Sequence, residues 1–195
     1  MATFQVRIHG RGGQGVVTAA ELLSVAAFNE GKYAQAVPSF GSERTGAPIV
    51  AFCRIANRPI RSREPIIDPD ALIIQDPTLL HSVDVFAGLR PDGYVLLNSS
   101  RSFAELGLRD LAGRFDAQHL LTVPATELAM KYLGKPLPNA VLLGGFAAMS
   151  GVVSLTAVVE AIEQRFAAAI ARNNVAAAES AYAFVRQEMV VSAHA

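Results

Sequence analysis

The stretch Phe4-Gln5-Val6-Arg7-Ile8-His9-Gly10-Arg11-Gly12-Gly13-Gln14-Gly15 decides the fold. It opens as a short strand in which Phe4, Val6 and Ile8 are apolar, and then places glycines at 10, 12 and 15 ahead of an amphipathic run. That is G-x-G-x-x-G in the strand, turn, helix order the motif requires. One glycine permits the tight turn, one lets a ligand approach the backbone, and one lets the helix pack on the sheet. The helix start then offers unpaired N–H groups and the positive end of its dipole to a phosphate or carboxylate. Such a turn also serves as a bare connection, and on these residues alone both readings stand.

Working outward, residues 3–9 read as the first strand and Gln14 to Glu30 as a helix ending near Gly31. Tyr33 to Val37 is a short second strand. Pro38 to Gly46 is a loop rich in turn formers, and Pro48 to Ile55 alternates as a strand. Asn57-Arg58-Pro59 is expected to turn that strand back toward Ile60 as a hairpin. Compact apolar strands follow at 71–75, 94–97 and 119–123, and helices at about 125–133, 139–150, 154–170 and 172–190. Continuous apolar strands are buried on both faces. Their alternation with helices predicts an α/β fold: a doubly wound, mainly parallel, Rossmann-like sheet with a β-hairpin excursion and a helical C-terminal part.

The 195 residues suit a single domain. Only 17% are charged while 51% are hydrophobic, a balance that favours a subunit with a covered surface over a monomer. Formal net charge is zero and there is no Lys/Arg stripe, which argues against nucleic-acid binding. Arg54, Arg58, Arg61 and Arg63 form a local basic stretch, read as a solvated or subunit-facing hairpin. Cys53, the single cysteine, reads as an inert core residue, and it cannot supply the ligand set of a zinc or iron–sulfur site. Ala140 to Val159 is uncharged and long enough to span a bilayer. Gly151 followed by Ser154 divides it better into two buried helices. With no basic-then-apolar start, a cytoplasmic location is the expectation.

Taken together, the motifs resemble the gamma subunit of 2-oxoacid:acceptor oxidoreductases, the thiamine-dependent enzymes that include pyruvate:ferredoxin oxidoreductase. The turn has the form G-x-G-G-Q-G. Ser39-Phe40-Gly41-Ser42-Glu43-Arg44-Thr45-Gly46 is similar to a family S-[YF]-G-x-E-x-R-G-G segment, although here Arg follows Glu directly and Ala47 replaces a glycine. Asn139 to Gly144, Gly151 to Leu155, Ala161-Ile162, Arg165-Phe166 and Asn173-Asn174 extend the likeness over nearly all of residues 3–190. The resemblance implies a complex that oxidatively decarboxylates a 2-oxoacid on thiamine diphosphate with magnesium. Coenzyme A takes the acyl group, and electrons leave through iron–sulfur clusters to ferredoxin or another acceptor. It implies sister subunits of alpha, beta and ferredoxin-like delta type that carry most of those cofactors, with a possible further electron-transfer subunit.

Two candidate sites follow. The turn Gly10, Arg11, Gly12, Gly13, Gln14 and Gly15 is expected to contact an anionic part of coenzyme A or a partner subunit, with Arg11 supplying charge-assisted hydrogen bonds. The loop residues Ser39, Phe40, Gly41, Glu43 and Arg44 are the second, because α/β folds place ligands after strand ends. A nicotinamide site of the chain's own is disfavoured, since the second strand ends at Val37-Pro38-Ser39 without a carboxylate and Glu43 comes late. No metal site or catalytic constellation is expected: His9, His81, His119 and His194 lack ligand spacing, and Asp68, Asp70 and Asp76 read as turn and cap residues. The competing readings are a self-contained nucleotide-binding oxidoreductase of Rossmann type and a scaffold without a ligand.

Overall fold

The computed structural model of the chain describes residues 3–38 and 45–192. Six strands form one sheet: β1 (Phe4–Arg11), β2 (Tyr33–Pro38), β3 (Pro48–Ala56), β4 (Ala71–Ile74), β5 (Tyr94–Asn98) and β6 (Leu120–Val123). Their spatial order is β2-β3-β1-β4-β5-β6. The ladders β1–β4, β4–β5 and β5–β6 are parallel, whereas β3 runs antiparallel to both its neighbours. The helices are α1 (Val16–Asn29), a single-turn α2 (Arg109–Ala112), α3 (Ala125–Leu133), α4 (Asn139–Ser150), α5 (Leu155–Arg165) and α6 (Ala168–Ser192). This is the α/β fold with a mainly parallel sheet that the sequence predicts.

The antiparallel excursion differs from expectation in its partner. No strand forms at Ile60, because both edges of β3 are already taken, by β1 in the register Val6 to Cys53 and by β2 in the register Ala36 to Cys53. Pro59 lacks an N–H to donate, and residues 57–65 run as an irregular arm over the surface. The break between the last two helices falls at 166–167 rather than near 171.

The two faces of the sheet are covered differently. Val6, Ile8, Ile73, Leu96 and Val123 meet the helices in the main core. Leu72, Ile74, Val95 and Leu97 on the other face meet Leu79, Val85 and Phe103, delivered by a 3-10 turn at Pro77–His81 and irregular chain. Arg7 organises that second covering. It is 8% exposed. Its guanidinium donates to the carbonyls of Val85 at 3.0 Å and Ala87 at 2.5 Å, and its Nε to Nε2 of His9 at 3.0 Å. These bonds replace the water a buried cation loses. Burial, and then the Arg7 charge, push the His9 imidazole down to about 4.

Helix α4 explains the uncharged stretch. Residues 139–149 are all buried, so no face of the helix meets water. Gly144 lets the backbone of α4 touch that of α6 at Ala178, where a Cβ would overlap the Ala178 carbonyl. Ala171, Asn174, Ala177, Ala178, Ala181 and Val185 form the matching stripe on α6, at helical spacing. Gly151, at φ 62°, ends α4, and Ser154 caps α5 by accepting from the Ala157 N–H at 3.1 Å. No helix among the described residues is long and apolar enough to cross a membrane.

Gly144→Ala is expected to cost about 1–3 kcal/mol in urea unfolding through overpacking. Gly145→Ala, which meets only the side-chain ends of Leu96 and Val185 at 3.2 Å, should cost less. A second expectation concerns pH. Unfolded His9 titrates near its ordinary value of 6.5, folded His9 near 4, so between those values the unfolded chain binds the extra proton. Its contribution, about 3 kcal/mol, is complete above pH 6.5 and declines as pH falls toward 4. Urea unfolding of the wild type and His9→Gln between pH 7 and 4.5 should show the wild type losing stability more steeply; parallel profiles would contradict this.

Candidate functional site

The glycine turn sits at the C-terminal end of β1, beside the C-terminal end of β4, where the chain order in the sheet changes direction. Open α/β sheets place ligands at such a point. β1 runs two residues further than the sequence suggests, so Gly10 and Arg11 belong to the strand. The glycines share the work unequally. Gly10 lies under α1, with room only for hydrogen between Val16, Gln14 and Gln75. Gly12 pairs with the far side of the loop, its N–H donating to the Ala47 carbonyl at 2.9 Å and its own carbonyl accepting from Gly46 at 3.1 Å. Gly13 (φ 94°) and Gly15 (φ 73°) carry the left-handed conformations. Gly13 is one of the unconstrained positions of G-x-G-x-x-G, so the motif alone does not reveal this requirement.

The carboxylate of Asp76, just past β4, ties the turn down. It accepts from the Thr78 N–H at 2.9 Å, from the Thr78 hydroxyl at 2.6 Å and from the Gln14 amide at 2.8 Å, and it pairs with the Arg11 guanidinium at 3.3 Å. Burial alone would push this carboxyl up; the bonds from Thr78 and Gln14 and the Arg11 charge outweigh that and hold it below the usual carboxylate range. Asp76 therefore does more than cap the 3-10 turn. Arg11 also donates to the Thr78 hydroxyl at 2.8 Å and the Gly46 carbonyl at 3.0 Å, and the Gln14 side-chain oxygen accepts from the Arg11 N–H at 2.8 Å. The side chains of Arg11 and Gln14 are thus engaged within the chain, where they shape the turn. The backbone of Gly13, Gly15 and the first turn of α1 is left to face outward. No hydrogen bond joins the N–H groups of Gly13, Gly15, Val16, Val17 or Thr18 to a described residue, and α1 has neither a side-chain cap nor an acidic residue in its first turn.

Of these, Val16 and Val17 line a recess on the other side of the turn, while Gly13, Gly15 and Thr18 line a cleft of about 390 Å³ between the start of α1 and the C-terminal helices. Leu137, Phe166 and Ile170 give it an apolar wall, and Lys135, Arg165 and Asn173 bring polar ends to it. Asn139, 7% exposed, lies beneath Gly15, and Asn174 holds the Ile170 carbonyl at 2.9 Å. A smaller recess of about 270 Å³ on the other side of the turn reaches Thr45 and Ile49. Ser39, Phe40, Gly41, Glu43 and Arg44 lie outside the described residues; the stem that follows them, Thr45 to Ala47, abuts the turn.

Sequence reading did not assign Thr18, Lys135 or Arg165 to the site. Lys135 follows α3 and Arg165 ends α5, each an isolated charge in the sequence with no local spacing to link it to residue 13. His9, next to the turn, is buried on the opposite face with Arg7.

A sheet with this order, carrying a glycine turn at its switch point, defines a Rossmann-like α/β domain, and comparison with known proteins places it. The chain belongs to the pyruvate ferredoxin/flavodoxin oxidoreductase family, whose model matches residues 5–184. It is 46% identical to the pyruvate/ketoisovalerate oxidoreductases common subunit gamma of Thermococcus kodakarensis, over 91% of this chain and 95% of that protein. It is 44% identical to pyruvate synthase subunit PorC of Methanothermobacter marburgensis, with the same coverage. The crystal structure of pyruvate oxidoreductase subunit PORC from Thermotoga maritima superposes with a TM-score of 0.77 at 33% identity, over 93% of this chain and 96% of that one. The protein is a gamma-type subunit of a 2-oxoacid oxidoreductase complex, and the family resemblance read from the sequence holds.

Gly15→Ala should destabilise the chain by about 1–2 kcal/mol from backbone conformation alone, and by more through overlap with the Asn139 side chain. Adding Asn139→Ala is expected to remove the overlap but not the backbone cost, so the two changes will be non-additive in a thermal-unfolding cycle.

Proposed function

We propose that this chain serves a cytoplasmic complex that oxidatively decarboxylates pyruvate or a related 2-oxoacid to the acyl-CoA, and that its own part is to hold coenzyme A. Sister subunits of alpha, beta and ferredoxin-like delta type carry thiamine diphosphate, magnesium and the iron–sulfur clusters in this reading, and pass electrons to ferredoxin or another acceptor. The names of the relatives, pyruvate and ketoisovalerate oxidoreductases, support the substrate class.

The observation that carries the coenzyme A assignment is the uncapped start of α1 facing a cleft with cations on its other wall. Coenzyme A presents phosphates, an adenine and a flexible pantetheine arm. The N–H groups of Gly13, Gly15 and the first turn of α1 suit a phosphate, since they donate without a bulky side chain in the way. Lys135 and Arg165 suit a second phosphate, and Leu137, Phe166 and Ile170 suit the apolar portions. When bound, coenzyme A supplies the thiol that accepts the acyl group. This chain orients that thiol toward the sister subunits by gripping the far end of the molecule. Arg11, Gln14 and Asp76 keep the turn in the shape that grip needs. The loop 39–44 belongs to the same reading, since its stem borders the turn.

Lys135→Gln and Arg165→Gln in the assembled complex are each expected to raise KM for coenzyme A about tenfold, the loss of one charge-assisted contact, while leaving KM for the 2-oxoacid in place. An unchanged KM for coenzyme A in both variants would remove this role.

A further inference from the structure

At the end of the sheet away from the glycine turn lies a second polar recess, of about 470 Å³. Thr3 and Gln5 at the start of β1, Arg54 late in β3, and Arg58, Arg61 and Ser62 on the following arm line it. Gln5 and Arg54 are cross-strand partners, which fixes the recess at the N-terminal end of β1. Arg54 is only 4% exposed. Its Nη2 donates to the Glu64 carbonyl, but its Nη1 is buried with no hydrogen-bond partner among the described residues. Arg58 and Arg61 are exposed, and no described carboxylate lies within ion-pair distance of any of the three arginines.

This arrangement is unfavourable as it stands. A buried guanidinium nitrogen without an acceptor forfeits its hydration, and three cations around one recess repel one another. The chain has as many acidic as basic residues, 17 of each; Glu64 offers Arg54 a favourable charge at longer range, but none of the described carboxylates forms an ion pair here. An anion from outside resolves both costs. Two features favour a protein carboxylate over a small phosphate. The recess is an open, side-chain-lined hollow beside an extended arm, with no helix start or backbone N–H cradle of the kind found at the glycine turn. The chain is also one subunit of a larger complex, so a partner surface is at hand. Guanidinium forks match carboxylates in a bidentate geometry.

We propose that the Arg54–Arg58–Arg61 recess is a docking point for an acidic segment, Asp or Glu side chains, of a sister subunit. It completes the unpaired Arg54 nitrogen on assembly and fixes the orientation of this chain in the complex. The proposal rests on the chain being a subunit, not on the coenzyme A assignment, because the two sites lie at opposite ends of the sheet.

The test is assembly from separately purified subunits. The double change Arg58→Glu, Arg61→Glu touches only exposed side chains, so the full chain should keep its melting temperature. Its dissociation constant from the sister subunits should rise 10- to 100-fold, with a weaker salt dependence of association. Arg54→Met, which keeps volume without charge, should weaken assembly in the same direction and serves if the reversal fails to fold. KM for coenzyme A in complex assembled at saturating subunit concentrations should match wild type, which separates this test from that of the glycine-turn cleft. Wild-type affinity between subunits in both variants would overturn the proposal. Stabilisation of the free wild-type chain by millimolar phosphate, abolished in the double variant with assembly intact, would overturn it in favour of a small-anion site.

Discussion

The carboxylate of Asp76 holds the glycine-turn end of this molecule together. It collects two bonds from Thr78, one from Gln14 and the Arg11 charge at a position 12% exposed on its side chain. Each partner comes from a different side: Thr78 from the 3-10 turn beyond β4, Gln14 from the glycine turn, Arg11 from the end of β1. A carboxylate so satisfied is stable in partial burial because its lone pairs are met by fixed donors rather than by water. The consequence is conformational. With Arg11 and Gln14 drawn inward, the backbone of Gly13 and Gly15 is the part of the turn that faces outward, and the start of α1 is left uncapped. The side chains of the motif build the cradle, and the backbone is what the cradle presents.

The rest of the fold supports that end by tying the elements behind it to one another. Asn98 donates to the Gln75 carbonyl at 2.7 Å and the Thr126 hydroxyl at 2.8 Å, and accepts from the Thr126 N–H at 3.1 Å, which locks β4, β5 and the start of α3 at the same level as the turn. At the other end of α1, Glu30 pairs with Lys32 at 2.8 Å and accepts from the Ser154 N–H at 2.7 Å, joining α1 to the α4–α5 corner. Between these ties runs α4, buried on every side and brought against α6 by Gly144. The C-terminal helices can then supply the far wall of the cleft from residues more than a hundred positions away from the turn.

Much of this was legible in the sequence. The apolar runs at 71–75 and 94–97 announced buried parallel strands, the glycine turn announced a strand-to-helix corner, and Gly151 with Ser154 announced the break between α4 and α5. The arm after β3 departs from the hairpin expected there because a turn signal at Asn57-Arg58-Pro59 says that the chain bends, not whether a sheet edge is free to receive the next segment. The roles of Arg11 and Gln14 were half legible. Their place in the motif marked them as important, but their partner Asp76 is more than sixty residues away, and only the parallel pairing of β1 with β4 brings it there.

Periodicity, glycine placement and turn chemistry are local properties, and through them the amino-acid order alone determined the α/β class, the position of the corner and the buried character of the helix at 139–150. Which groups face which was decided by the tertiary structure. Ion pairing, desolvation and the meeting of Gly13 with Lys135 and Arg165 across one cleft depend on distances between residues far apart in the chain. Those distances exist only once the sheet has ordered its strands and the helices have packed upon it.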